Sequence, residues 1–445
     1  MTSFNDTVAN AIIGIDTIWG GDVLNPSGTG RFIADSWFSD QPLPLAYTHA
    51  TAAAVRETGG VSAKQPNHDA IDRYVEAVKL TQTLSDFKMQ AADQQGRRGV
   101  YLTGLAECLD VMWDLALEIL GRRDPVSYER CVIASTGSRP GPSDPASKRE
   151  LLLRRLTESG YPVSLQDGLL DAVDTWRSER VVPSASIPAL AAAFIAEFNA
   201  LTTRNLMPYL PSGLAGVPRS NIRFMPIRDA WFSGSMNYLG RARTADGKPE
   251  FEATYEINSS LQISVPEFQQ LISHEVEPGH VTTFAFLQAL YEEGQIGFEG
   301  TVQTMNTRAA ALSEGIANNA ILIAHGVNEI EELPDRDLQI GVLLALLQDD
   351  AKNQSSYLTW KEGWPQERVA ATLRNEFLVS KERADKLSGA WGRHPLLGRM
   401  YLPAYRAGTE LVAELRRNHA PKDVLPALYG CTGLEDVVTI GQAVG

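Results

Sequence analysis

The stretch 274-HEVEPGHVTTF-284 decides how the carboxy-terminal half of this chain folds. It begins with His274 and Glu275 side by side, but Pro278 stands where a second histidine would complete an HExxH pattern. The next histidine, His280, comes six residues after the first. On a regular helix, six residues leave two side chains about 120° apart, so the imidazoles would diverge. The spacing therefore raises the question of whether the helix stays regular here.

Pro278 prevents a regular helix at this point. It has no N–H to donate to the carbonyl of His274, and its ring clashes there. It also biases Glu277 away from helical angles, while Gly279 permits unusual ones. We predict a wide, bulged turn that returns His280 to the face of His274, a feature that often occurs at functional sites. The alternative is that the turn merely separates two helices and leaves both histidines solvated.

The helix that carries His274 has a clear start. Ser264 is suited to cap it, Pro266 to its first turn, and Glu267 to a capping box. The pattern predicts a buried stripe, comprising Phe268, Leu271 and Ile272.

A β-hairpin is predicted just before this helix. Segments 235–242 and 250–257 flank the turn-like 244-TADGKP-249, and apolar residues alternate along the second segment. An exposed strand edge beside a site can bind an extended peptide by backbone pairing. The alternative is a surface hairpin without a role in binding.

Elsewhere the sequence predicts a mainly α fold. Apolar residues recur at three- and four-residue spacing in four long segments, 69–95, 101–121, 187–207 and 337–358. The segment 135-STGSRPGPSDPAS-147 is the best loop candidate. It divides an amino-terminal helical region, 1–134, from a second region, 148–445, unless it is a surface loop within one continuous domain.

Composition excludes several classes of protein. The chain has 445 residues, a net charge of -14 and a pI near 5.1, so we expect no nucleic-acid partner. The amino terminus lacks the pattern of a secretory signal, and we expect no membrane-spanning segment. Three widely spaced cysteines fit buried thiols in a reducing cytoplasm.

Glu314 is the candidate for a third metal ligand. It lies 34 residues after His280 in the helical pattern 307-TRAAALSEGIANNAILIA-324, among small and apolar residues. A carboxylate buried in that setting needs a partner, and a metal ion is a suitable one. Two histidines and a glutamate with an open water position form a known kind of zinc site. The alternative is a solvated glutamate on a helix surface.

These motifs resemble the family catalogued as domain of unknown function 885, whose members are mostly described as metallopeptidases with an H-E-x-x-P-G-H pattern and a later E-G-W. Seven residues match it: His274, Glu275, Pro278, Gly279, His280, Glu314 and Gly315. Val281 replaces a frequent extra histidine and Ile316 replaces the tryptophan. The resemblance covers mainly the carboxy-terminal half and implies a large helical architecture like that of gluzincin peptidases. A competing match, 362-EGWP-365, reads as a loop, so we prefer Glu314 to Glu362.

A further group of candidates lies in 393-RHPLLGRMYLPAYRAG-408. The family often carries Y-x-x-G here, which Tyr405 and Gly408 match. The resemblance implies that Tyr405 stabilises the oxyanion formed during hydrolysis, with Tyr401 and His394 as alternatives. Arg399 or Arg406 could bind a substrate carboxylate. Ordinary packing or surface ion pairs are the competing interpretations for all of these residues.

The expected function is metal-dependent hydrolysis of short peptides. His274, His280 and Glu314 would hold Zn²⁺, with Mn²⁺, Co²⁺ or iron as other metals that fit the same ligands. Glu275 would act as general base. The alternatives are hydrolysis of a small non-peptide amide, a non-haem iron oxygenase built on the same ligands, and a helical interaction module that has lost catalysis. The sequence leaves the oligomeric state open.

Overall fold

The computed structural model describes residues 3–25, 33–60, 65–161, 163–164, 168–227, 234–258 and 262–430. Within these ranges the chain is mostly helical, which confirms the mainly α prediction with a small sheet. The α-helices are α1 Phe4–Trp19, α2 Leu45–Thr48, α3 Ala50–Arg56, α4 His68–Ala77, α5 Leu80–Ala92, α6 Gly96–Ile119, α7 Tyr128–Thr136, α8 Ala146–Glu158, α9 Leu169–Ser178, α10 Ile187–Asn205, α11 Val265–Glu275, α12 His280–Glu292, α13 Arg308–His325, α14 Arg336–Ser356, α15 Gln366–Phe377, α16 Lys381–Lys386, α17 Leu402–Asn418 and α18 Pro421–Leu428.

Two small sheets accompany the helices within the described part of the chain. Their strands are β1 Ala34–Trp37, β2 Ile222–Ile227, β3 Gly234–Tyr238, β4 Ala253–Asn258 and β5 Val302–Thr304. β3 and β4 form the predicted antiparallel hairpin. β2 lies parallel to β4 and makes it the central strand of three, which the sequence did not reveal. β1 and β5 form a separate antiparallel pair.

The four long segments predicted as helices differ in how well they match the observed helices. Segments 101–121, 187–207 and 337–358 correspond to α6, α10 and α14. Segment 69–95 is two helices, α4 and α5, because Lys79 takes a left-handed conformation with φ 52°. The break allows Tyr74 and Leu80, six residues apart, both to be fully buried in the same core.

The stretch Ser184–Tyr209, which contains α10, bears on the expectation of no membrane-spanning segment. Its 26 residues are long enough to cross a membrane, and an 18-residue window within them has a mean hydropathy of 1.4. Glu197, Asn199 and Arg204 interrupt its apolar residues, and the expectation of no membrane-spanning segment stays a prediction. Length and composition alone are weak evidence for a membrane span. Here α10 packs on the core through Ile187, Ala191 and Phe198.

The regions 1–134 and 148–445 are joined by more than a linker. The core of the first region includes Phe298, Val302, Leu396 and Met400 from the second. β1 also pairs with β5 across the proposed boundary. The loop that follows α7 is held to α14, where the Ser143 N–H donates to Gln354 Oε1 at 2.8 Å.

Helices α11, α13, α14 and α17 pack against one another around His274 and Glu314, and small residues allow the close approach of α13 and α17. A Cβ on Gly315 of α13 would lie 2.4 Å from the carbonyl oxygen of Gly408 on α17. A Cβ on Gly408 would lie 1.8 Å from the carbonyl oxygen of Ala311. Two glycines therefore allow α13 and α17 to touch along their backbones.

Candidate metal centre

The HEVEPGH segment forms a wide turn between α11 and α12. The Gly279 N–H donates to the Ser273 carbonyl at 3.1 Å, and the Thr282 N–H donates to that of Val276 at 3.2 Å. Each bond spans six residues instead of the four of a regular helix. The turn thus absorbs the two additional residues. The ring centroids of His274 and His280 lie 4.7 Å apart, at 89° to one another.

Several contacts hold this turn in place. Gly279 is required sterically, because a Cβ there would lie 1.8 Å from the His274 carbonyl oxygen. Glu277 is fully buried, and its carboxylate accepts a 2.7 Å bond from Arg219 Nε. The Tyr429 hydroxyl donates to the Pro278 carbonyl at 2.9 Å. The Glu277–Pro278 peptide bond is cis.

Glu314 faces both imidazoles from the neighbouring helix α13. Its Oε2 lies 3.4 Å from His274 Nε2 and 3.8 Å from His280 Nε2. This oxygen is buried and has no hydrogen-bond partner among the residues that the structure describes. The other oxygen, Oε1, accepts a 2.7 Å bond from the Tyr401 hydroxyl. One carboxylate oxygen is therefore fixed, and the other is directed at the two histidines.

The remaining ring nitrogens of the histidines are anchored on α13. His274 Nδ1 lies 2.8 Å from Asn318 Oδ1, and the Asn318 amide nitrogen donates to Thr409 Oγ1. His280 Nδ1 lies 3.0 Å from Ser313 Oγ. A proton on each Nδ1 leaves the Nε2 lone pairs free to bind a metal, and such partners orient metal-binding histidines in many proteins. Sequence reasoning missed Asn318 and Ser313, although both lie within about one helical turn of Glu314.

The pKa values reflect this close arrangement. Burial lowers the pKa of His274, but its contact with Glu314 and the negative charges of Glu314, Glu275 and Asp349 outweigh burial and raise that pKa. Burial raises the pKa of Glu314, yet the two imidazoles outweigh it and hold the pKa well below its usual range. The site therefore keeps a carboxylate charge in a buried position.

Glu275 lies beside the two histidines. The potential ligand atoms of His274, Glu275 and His280 all lie within 4.8 Å of one another. Two imidazole nitrogens and an unpartnered carboxylate oxygen on converging elements form a suitable donor set for Zn²⁺. The residues present therefore fit a metal ion, and Glu275 is near enough to act on a water molecule beside it.

Two tyrosines extend the site towards α17. Tyr401 ends a π-helical turn, Leu397–Tyr401, and Tyr405 lies one turn further on. The Tyr405 hydroxyl donates to the Tyr401 hydroxyl at 3.0 Å. Lys352 Nζ lies 3.2 Å from the centroid of the Tyr405 ring and forms a buried pair with Asp349 at 2.8 Å. Tyr401, ranked second from the sequence, is the tyrosine in direct contact with Glu314.

The other predicted substrate-binding residues are occupied by protein partners. His394 is buried, and its Nδ1 accepts from the N–H groups of Leu396 and Leu397. Arg399 is buried and forms a two-point pair with Glu118, both contacts at 3.0 Å. These contacts argue against a substrate-binding role for Arg399 and give His394 a structural one.

The surroundings of Arg406 and Glu362 also argue against the roles considered for them, substrate binding for Arg406 and metal binding for Glu362. Arg406 donates to Glu410 Oε1 and to the Pro142 carbonyl, each at 2.7 Å. This engagement argues against a role for Arg406 in binding a substrate carboxylate. Glu362 is exposed between α14 and α15, which agrees with the prediction of a loop at 362-EGWP-365.

Comparison with known proteins identifies the fold alone. No family model matches the chain, and no curated protein matches it. Two solved structures are similar: a protein from Colwellia psychrerythraea, provisionally described as a lipoprotein, and one from Shewanella oneidensis, provisionally described as a lipoprotein of unknown function. The first has a TM-score of 0.53 and 12% identity over 84% of this chain and 69% of its own. The second has a TM-score of 0.52 and 14% identity over 88% of this chain and 76% of its own.

Proposed function

We propose that this protein is a metal-dependent hydrolase, most similar in its chemistry to zinc peptidases that act on short peptides. The observation that carries the proposal is the buried Oε2 of Glu314, which has no hydrogen-bond partner among the described residues and faces the Nε2 atoms of His274 and His280. A buried carboxylate oxygen without a hydrogen bond is costly, and a metal ion at this point would satisfy it. The resemblance to the HExxPGH family supports the same assignment.

The residues around this point have separate tasks. Zn²⁺ bound by His274, His280 and Glu314 would supply Lewis acidity, polarising a carbonyl and making water more acidic. Glu275 accepts the proton of the attacking water and passes it to the leaving amine. Tyr401 orients Glu314 through its hydrogen bond.

Tyr405 remains the candidate donor to the oxyanion. Its hydroxyl donates a hydrogen bond to the Tyr401 hydroxyl, which in turn donates to Glu314 Oε1. A fixed donor aimed at developing negative charge stabilises the transition state of acyl transfer. The Lys352 cation over the Tyr405 ring would draw electron density from the phenol and make its hydroxyl a stronger hydrogen-bond donor.

Two features favour short peptides as substrates. The side chains of His274 and His280 are only 15% and 11% exposed, so a folded protein segment would reach them poorly. The sheet before α11 has β2 and β3 at its edges, and a peptide can add to such an edge by backbone pairing. A small amide remains the second candidate, since the same chemistry would cleave it.

Glu275 also favours hydrolysis over oxygenation. A non-haem iron oxygenase uses two histidines and one carboxylate, but it has no need of a base at this position. The cytoplasmic location and the lack of nucleic-acid and membrane partners stay predictions from the sequence.

The experiment is a screen of short peptides, with free or blocked ends, using wild type and two variants loaded with zinc. Glu275→Gln should keep the metal and lose nearly all turnover, whereas His274→Ala should lose the metal. Oxygen consumption by the iron-loaded protein distinguishes the oxygenase. Turnover by Glu275→Gln at the wild-type rate would refute the proposed base.

A further inference from the structure

A small cavity lies beside Tyr401, the tyrosine that holds Glu314. Its walls are mostly apolar, and the apolar residues that line it are Trp19, Ile33, Met305, Leu396 and Leu397. Three polar side chains line it as well, those of Asn306, His394 and Tyr401. Apolar walls with a small number of polar groups are typical of sites that bind small molecules or single side chains.

The cavity lies on the same side of α13 as Glu314. Ala310 comes one turn before Glu314 and shares its face of the helix. Ala310 packs with Leu397 and Tyr401, two residues of the cavity wall. The Tyr401 hydroxyl then reaches from this wall to Glu314 Oε1, 2.7 Å away. These contacts place the cavity next to the candidate metal centre.

Asn306 gives the cavity an unsatisfied polar group. The residue is 4% exposed, and its side-chain Oδ1 is buried with no hydrogen bond to any residue that the structure describes. Buried polar groups in native proteins are nearly always paired, so each exception calls for an explanation. A carboxamide that lines a cavity next to a candidate active site is explained by a ligand that supplies the missing partner.

We propose that this cavity is a specificity site, which receives the side chain of a substrate residue next to the scissile bond and selects a small, uncharged polar tip. A hydroxyl or a primary amide both donates and accepts, so it can pair with either end of the Asn306 carboxamide. The cavity has room for little more than about one water-sized group, which favours a short side chain. This inference rests on the proposed hydrolysis at the neighbouring metal centre.

The charge of the walls supports an uncharged tip. Among the described residues that line the cavity, none carries a carboxylate, an ammonium or a guanidinium group. The imidazole of His394 accepts the N–H groups of Leu396 and Leu397 through Nδ1, so it fixes the loop that carries these two wall residues. A charged side chain would be buried in the cavity without a counter-ion, which is costly.

Threonine and valine are the matched probes, because their side chains have similar shapes and differ in one hydroxyl. A site that hydrogen-bonds a substrate hydroxyl rejects an analogue without it, since the site's own polar group then stays unpaired. The zinc-loaded protein is assayed with alanyl-threonyl-alanine and alanyl-valyl-alanine, in which the middle residue adjoins both peptide bonds. Wild type should cleave the threonine peptide with a kcat/KM at least about tenfold higher.

Asn306→Gly removes the carboxamide. The backbone at this position has a φ of 61°, which glycine adopts freely, so the fold is kept. The ratio of the two kcat/KM values should fall to within twofold of one, with zinc content unchanged. Gln303→Leu is the control, because it removes a buried amide that lines a different cavity, together with Ser313 and Ile316. That variant should keep the wild-type ratio.

Two kinetic outcomes would overturn the inference: equal kcat/KM values for the two peptides in wild type, or an unchanged ratio in Asn306→Gly. If wild type cleaves neither peptide, the proposed function fails instead, and a crystal structure of the zinc-loaded protein soaked with the threonine peptide decides the site by itself. The inference expects the threonine hydroxyl within about 3.0 Å of the Asn306 carboxamide. A cavity that holds only water in that crystal would overturn it.

Discussion

The Tyr401 hydroxyl donates a 2.7 Å hydrogen bond to Glu314 Oε1, and the opposite oxygen of the same carboxylate faces His274 and His280. The two residues lie on different helical segments, 87 positions apart in the chain. Their contact sets the orientation of the carboxylate before any ion binds. Preorganisation of this kind is what outer partners contribute to metal sites.

Tyr401→Phe tests this contact. Loss of the hydroxyl frees Glu314 to rotate, so zinc affinity should fall about 10- to 100-fold. Isothermal titration with zinc measures the change. Tyr405→Phe is the control, because it keeps the bond between Tyr401 and Glu314. Equal affinities for Tyr401→Phe and wild type would show that Glu314 needs no such support.

Asn318→Leu tests the anchor of His274. The variant removes the acceptor for His274 Nδ1, and zinc affinity should fall roughly 10- to 100-fold. Asn318→Asp retains an oxygen acceptor at the same position and should bind zinc at least as tightly as wild type. If the leucine variant binds zinc normally, the ring of His274 is oriented by packing alone.

Glu277→Ala tests the support beneath the turn. Its carboxylate is fully buried against Arg219, and removing one partner of a buried pair costs about 3–5 kcal/mol. Urea unfolding should therefore show a large loss of stability. Glu362→Ala is the matched control at an exposed position, with an expected change within about 0.5 kcal/mol. Loss of zinc from Glu362→Ala would revive Glu362 as the third ligand.

Gly408→Ala tests the contact between α13 and α17. The new methyl group would lie 1.8 Å from the Ala311 carbonyl oxygen, so the helices must separate, at a cost of about 1–3 kcal/mol. Thermal unfolding and zinc titration should both register the shift of Glu314. Gly141→Ala adds a methyl group into open space and should leave both measurements unchanged. A Gly408→Ala protein as stable as wild type would mean that the helices adjust without cost.

The sequence was most informative where a few residue types repeat at short spacing. His274, His280 and Glu314 could be proposed as neighbours because Pro278 and Gly279 signal a local distortion and a buried glutamate needs a partner. Asn318, Ser313 and Arg219 could not be recognised, because asparagine, serine and arginine are common and their roles depend on how helices pack. The parallel pairing of β2 with β4 was also missed, because β2 contains Pro226 and its residues are only partly buried or exposed.

Ranking among similar residues was also beyond the sequence. Tyr401 and Tyr405 are one helical turn apart, and only the packing of α17 on α13 brings Tyr401 to Glu314. Arg399 and Arg406 both looked available for a substrate. Arg399 forms an ion pair with Glu118, and Arg406 forms one with Glu410. Glu118 lies 281 positions from Arg399 in the chain, so that pair could not be foreseen.

Zinc titration of wild type and Glu314→Gln tests the central claim most directly. The account predicts one zinc ion per wild-type chain, and binding to Glu314→Gln weaker by more than the ~100-fold typical of losing an outer partner. Wild-type protein that binds no zinc, or a glutamine variant that binds it with wild-type affinity, would contradict the account.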